Sequence, residues 1–181
     1  LSGNRFIDCE FSDCNLSLVK MIETVWRDVI FRNCKMLGMS FDVSNRFGLA
    51  FSFDGCSLDH SSFHNTKIRN TVFKNTQLKE VDFSQSDLTG VIFDNCDLKN
   101  AAFDQTILEK ADFRTAYNYS IDPDNNKVKK AKFSISGLGG LLEKYNIDYC
   151  CHGNVTLAES CKTKNISVNE LMGELNAEQQ Q

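Results

Sequence analysis

From Phe53 onward every fifth residue is apolar: Phe53, Leu58, Phe63, Ile68, Phe73, Leu78, Phe83, Leu88, Phe93, Leu98, Phe103, Leu108 and Phe113. Phe, Leu and Ile make up 40 of the 181 residues, about 22%, so thirteen consecutive matches have a chance probability of roughly 10^-8 to 10^-9. A period of five fits neither a helix, at 3.6, nor a flat strand, at 2.0. The position two before each of these residues is small or β-branched in twelve cases, from Cys56, Ser61 and Thr66 to Ala111; Phe51 is the exception. Residues i−2 and i point to the same side of an extended segment, and i−1 points away. The two residues left over must turn a corner, and they are rich in Asn and Gly (Asn65, Asn70, Asn75, Gly90, Asn95, Asn100). The chain therefore reads as short extended sides and corners, repeated around a coil.

The same period occupies the N-terminal part in another phase: Phe6, Phe11, Leu16, Met21, Trp26, Phe31, Met36 and Phe41. Phe41 and Phe53 are twelve residues apart, and Arg46 falls where an inward residue belongs. A two-residue insertion is expected within Asp42 to Ala50, a register break over 42–52. Leu18, Met21, Ile22, Val25, Trp26 and Val29 also fit a helical face, but the pentad phase runs unbroken on both sides, so a coil is expected there. Twenty-two pentads make about 5.5 coils, roughly 26 Å at a 4.8 Å rise.

Segments such as Val81-Asp82-Phe83-Ser84-Gln85 and Cys96-Asp97-Leu98-Lys99-Asn100 resemble the pentapeptide-repeat family. The resemblance implies an all-β solenoid, a right-handed quadrilateral β-helix with four pentads per coil, followed by a short C-terminal α-helix. Residues 4–117 are read as the array, 118–149 as a polar turn and a capping or dimerisation helix, and 150–181 as a polar tail with a possible short helix from Val168. In the helix Ser136 is the cap, and Leu138, Leu141, Leu142 and Tyr145 form the apolar side. It either plugs the open end of the array or pairs with its copy in a second chain.

No catalytic motif is legible, and the reading is not an enzyme. Five of eight cysteines (Cys9, Cys14, Cys34, Cys56, Cys96) sit at i−2, where a free thiol acts as a small hydrophobe. Cys150, Cys151, His152 and Cys161 could supply zinc ligands but lack the paired Cys-x-x-Cys spacing, so no metal or cofactor is expected. His60 and His64 fall at outward positions. No apolar run reaches the ~18 residues of a membrane span, and no signal peptide is visible from Leu1 onward, so a cytoplasmic protein with reduced thiols is expected. A net charge of −4 argues against direct binding of nucleic acid.

The outward carboxylates Asp82, Asp87, Asp94, Asp97, Asp104 and Asp112 are candidates for a partner surface. So is the apolar pair Val72 and Ile92, one coil apart on one face. The basic Lys-Lys-Ala-Lys-Phe run and the Leu-Leu-Glu-Lys-Tyr segment after it resemble bacterial members of the family, among them Qnr-type topoisomerase-protection and microcin-immunity proteins. That likeness implies a homodimer through the C-terminal helix and a rod that imitates DNA toward gyrase or topoisomerase IV. The alternative is an interaction scaffold or effector domain with an unrelated protein partner.

Overall fold

The structure is a computed structural model and describes residues 1–134 and 137–142. It is a right-handed quadrilateral β-helix in which every ladder is parallel. Its longer sides are β1 (Arg5–Ile7), β2 (Glu10–Ser12), β3 (Val25–Arg27), β4 (Val29–Arg32), β5 (Phe51–Asp54), β6 (Val72–Lys74) and β7 (Ile92–Asp94), with a four-residue helix α1 (Gly139–Leu142) at the C-terminal end. Strands β2, β4, β5, β6 and β7 stack into one five-stranded parallel sheet. The 18–29 stretch forms extended sides and not a helix.

The alternation of Phe with Leu or Ile decides how the core is divided. Four pentads complete a coil, so from Phe53 onward the aromatic rings fall on two opposite sides and the aliphatic residues on the other two, whereas in the first two coils Phe6 and Trp26 stack on an adjacent side. On the side built by the five-stranded sheet, here side A, Phe11, Phe31, Phe53, Phe73, Phe93, Phe113 and Phe133 stack with centroids 4.9–5.3 Å apart. On the opposite side, side C, Phe41, Phe63, Phe83 and Phe103 stack at 4.4–5.4 Å. Rings of the two columns meet edge to face, as Phe63 and Phe73 do at 6.0 Å and 84°. These offset and edge contacts are the arrangements that ring quadrupoles favour.

Small residues at i−2 fill the remaining space and carry out a polar task. Ser61 Oγ donates to the Met36 carbonyl, Thr106 Oγ1 to that of Phe83 and Cys96 Sγ to that of Phe73. Thr66 and Thr76 instead donate to carbonyls two or three residues back, and Thr71 Oγ1 is buried with no partner among the described residues, so Ser, Thr and Cys interchange with Val and Ala here mostly, but not always, with a carbonyl to receive the proton. Burial pushes the Cys56 thiol up to about 11 and the Cys96 thiol up to about 12. Cys34 is also buried, whereas Cys9 and Cys14, in the first coil, are half-buried; all five are free.

Corners are turned by left-handed residues, among them Asn65, Asn70, Asn75, Asn95 and Asn100 at φ of 49–58°. Asn tolerates this region better than most side chains. Gly90 takes φ +71°, and a Cβ there would run into Asn70 Oδ1 on the coil below, so this corner requires glycine.

Ladder partners are 20 residues apart except between the second and third coils, where Val29 pairs with Phe51 and Ser40 with Ser62, a spacing of 22. Asn45 N–H still reaches the Thr24 carbonyl in the ordinary register, so the two extra residues lie between Asn45 and Phe51. Leu49 turns inward in place of Arg46, and Phe47 projects with 81% of its surface exposed. The array also runs beyond residue 117. Ile107 pairs with Lys127, Asp112 with Lys132, and Phe133 stacks on Phe113. The five-residue rhythm fails at Asn118, which takes the corner conformation while its neighbour Tyr119 turns inward. The 20-residue period nevertheless persists, so the turn expected from 118 is part of a further coil.

Candidate protein-interaction surface

The six candidate carboxylates do not form an unpaired acidic strip. Asp87 and Asp97, expected on the outside, are only 5% and 9% exposed. The cause is local. An aspartate at i−1 curls back along its own side and accepts the amide N–H two residues on: Asp82 from Ser84, Asp87 from Thr89, Asp97 from Lys99 and Asp112 from Arg114. This is an Asx turn, and it helps the chain leave the extended side for the corner.

Arginine or lysine then pairs with three of the six. Arg69 donates to Asp87 Oδ2 at 2.5 and 2.8 Å. Arg114 grips Asp112 through two nitrogens, with Lys132 4.0 Å away. Lys79 lies 3.5 Å from Asp97, and His64 lies 3.7 Å from Asp82. Asp94 accepts from Thr115 Oγ1, and Asp104 from the Asn125 side-chain amide. Burial raises the Asp87 pKa, but the hydrogen bonds from Arg69 and Thr89 outweigh it and leave the carboxyl below its ordinary value. Asp112 is also lowered, chiefly by Arg114 against a smaller cost of burial. His60 is exposed and sits 3.1 Å from Glu80. Four of the six candidate carboxylates are turn-forming, three of those are paired with arginine or lysine, and Asp94 and Asp104 accept from neutral side chains.

Side A has the other character. Its outward i−1 column holds Ile30, Ser52, Val72 and Ile92 in register, with Ile92 41% exposed and the other three half-buried. These side chains lie on the broadest regular surface of the rod.

At the C-terminal end Leu141 is 2% exposed and joins the core, with Leu138 and Phe133 packed beside it. Leu141 thus closes the array within its own chain. The Leu142 side chain, Tyr145, Ser136, and the Cys150, Cys151, His152 and Cys161 group lie outside the described residues. Gly140 brings α1 against Tyr119, where a Cβ would collide with the Tyr119 carbonyl oxygen. An open depression of about 570 Å³ beside this contact is lined by Lys99, Asn100, Tyr117, Asn118, Tyr119 and Gly137, among others. The buried Tyr119 hydroxyl has no partner among the described residues, and burial raises it to about 12. That is far above the range of a general acid or base at neutral pH. No cluster of three His, Cys, Asp or Glu residues suited to a metal occurs among the described residues, and none of their helices is long and apolar enough to cross a membrane.

Two family models match the chain. Residues 49–113 match a pentapeptide repeat region, and residues 125–179 match ScdA_N, a domain of unknown function (DUF542). The second match begins in the last coil and covers the segment read from sequence as a polar tail. No curated protein matches the chain in sequence. Among solved structures, a trypsin-treated variant of QnrB1, a plasmid-mediated fluoroquinolone resistance protein, is 15% identical, with a TM-score of 0.57 over 83% of this chain and 84% of that one. Rfr23, a pentapeptide repeat protein from the cyanobacterium Cyanothece 51142, is 13% identical, with a TM-score of 0.27 over 59% of this chain and 88% of that one. The QnrB1 likeness is one of fold. The five-residue period, the four-sided coil and the family match agree that residues 49–113 are a pentapeptide repeat region.

Proposed function

We propose that the chain is a non-catalytic, protein-binding rod whose contact surface is side A. The observation that carries this reading is the in-register apolar column Ile30, Val72 and Ile92, held outward on a rigid five-stranded sheet. An apolar stripe on a regular sheet favours a protein partner. Five free inward thiols fit a reducing compartment such as the cytoplasm. The test is retention of proteins from the host lysate on the immobilised chain, compared with Ile92→Lys and with Gln105→Lys on side C. A partner retained by the chain and by Gln105→Lys but lost with Ile92→Lys supports the reading. Retention indifferent to Ile92→Lys refutes it.

A second reading, that the partner is gyrase or topoisomerase IV and the rod imitates DNA, is favoured by the likeness of fold to QnrB1 across 83% of the chain. It requires carboxylates to stand in for phosphates, and the ion pairs at Asp87, Asp97 and Asp112 weigh against that. A supercoiling assay at two salt concentrations, with and without a fluoroquinolone, tests it. Salt-sensitive inhibition or relief of drug-induced cleavage supports mimicry; no effect at tens of micromolar removes it.

A further inference from the structure

Parallel, in-register stacking places identical positions of successive coils directly above one another, about 4.8 Å apart. On side A the i+1 column consequently reads Arg32, Asp54, Lys74, Asp94 and Arg114, a strict alternation of sign. Arg32 lies 3.9 Å from Asp54, and Arg114 is held by Asp112. Lys74, between two carboxylates in register, has no acidic oxygen within 4.0 Å among the described residues. The parallel i−1 column reads Ile30, Ser52, Val72 and Ile92 on the rungs of Arg32, Asp54, Lys74 and Asp94.

We propose that side A binds a second copy of this chain, face to face and antiparallel. This rests on the reading of side A as the contact surface and names its partner. A two-fold axis along the strand direction keeps each column opposite its own copy and reverses the order of the rungs. An alternating column then meets opposite charge wherever the axis passes between rungs. Placed between the β5 and β6 rungs, the axis sets Lys74 against the partner's Asp54 and Arg32 against the partner's Asp94, each pair occurring twice. The same axis sets Ile30 against the partner's Ile92 and Ser52 against the partner's Val72, so the uncharged column faces only itself. One rung further along, it would bring Ile30 against the partner's Lys132 and Ser52 against the partner's Asp112. Charge and apolar pattern thus select one register. At the outer rungs Glu10 meets the partner's Asp112, a like-charge contact at the rim offset in part by Arg32 beside Glu10 and Arg114 on Asp112.

The surface is narrow, one strand wide and six rungs long, from the Glu10 rung to the Asp112 rung. That is well below the ~800 Å² per partner of a standard stable interface. Self-association is therefore weak. Its charged pairs make it salt-dependent.

Sedimentation equilibrium of the full chain, from about 10 µM to about 1 mM at low and high salt, tests this. Dimer formation is expected, weakened severalfold or more by high salt. Ile92→Lys and Lys74→Asp each abolish it, the latter by setting Asp54 against an introduced carboxylate twice. The exchange Asp54→Lys with Lys74→Asp restores the pairing and brings the dimer back to within a few fold of the original. Both positions are outward, and circular dichroism confirms that each variant is folded. A monomer throughout the range, a dimer indifferent to Lys74→Asp, or failure of the exchange to restore it overturns the proposal. A monomer whose protein partner is still lost with Ile92→Lys overturns self-association alone and leaves side A as a surface for a different protein.

Discussion

Phe73 offers the sharpest test of what holds the rod together. Its ring is fully buried, stacks on Phe53 at 5.0 Å and on Phe93 at 5.3 Å, and meets Phe63 and Phe83 edge to face at 6.0 and 6.1 Å. Phe73→Ala removes the transfer energy of the ring and leaves a cavity whose walls are themselves rings locked in columns, so it collapses poorly. Such truncations cost about 3–5 kcal/mol, and aromatic pairs add about 0.5–1.5 kcal/mol each beyond area burial, which places Phe73→Ala near 4–5 kcal/mol. Phe6 provides the control. It is half-buried and, among the described residues, stacks on Trp26 at 4.9 Å and on no second ring, so Phe6→Ala should cost about 1–2 kcal/mol. In a one-dimensional array the end coil frays without disturbing its neighbours, whereas a central lesion interrupts both halves. Urea denaturation followed by circular dichroism measures the difference. If the two variants fall within about 1 kcal/mol of each other, the columns are not the principal source of stability.

The corner at Gly90 should resist any side chain: Gly90→Ala is expected to cost about 1–2 kcal/mol, and adding Asn70→Ala should recover only the part due to collision, leaving the φ +71° strain, as read by thermal melts of the single and double variants. Because the folded-state pKa of Asp87 lies below its ordinary 3.8, its contribution to stability is complete above about pH 5 and is lost as pH falls past the ordinary value and through the lower folded-state one. Asp87→Asn should therefore flatten the acid limb of a stability profile measured between pH 7 and pH 2; an unchanged slope would count against the Arg69 pairing. Alkylation by iodoacetamide at pH 8, mapped by mass spectrometry, should label Cys9 and Cys14 before Cys56 and Cys96, whose thiols sit at about 11 and about 12. Early labelling of Cys96 would contradict its place in the core.

Much of this fold is legible in the sequence because the coil imposes one rule at every fifth position and Phe, Leu and Ile obey it thirteen times in succession. The register break is legible for the same reason, since Arg46 violates the rule. What escapes is whatever the rule leaves free. Aspartate at i−1 suggests an exposed charge, yet Asp87 and Asp97 turn back to the amide two residues on, a role fixed by backbone geometry at the corner. Coil continuation past Asn118 is hidden because Tyr119 takes the inward place one residue late. On the surface, the Val72 and Ile92 stripe is visible from spacing alone. The alternating charges beside it emerge only when positions 20 and 22 apart are placed on the same column. Cys150, Cys151 and His152, read as incidental, fall inside the second family match.

The two extra residues between Asn45 and Phe51 are absorbed within one corner, and from there onward the sides face the same directions as before. A change of five residues would behave differently. Each pentad accounts for a quarter turn, so deleting one would leave the interior filled while turning every later side through 90° relative to the earlier ones. Whatever docks on a surface spanning several coils would then find half of it on another wall of the rod. Chain length in this architecture acts as an angular setting as well as a linear one, and among changes of whole pentads only steps of twenty residues leave a long contact surface in line.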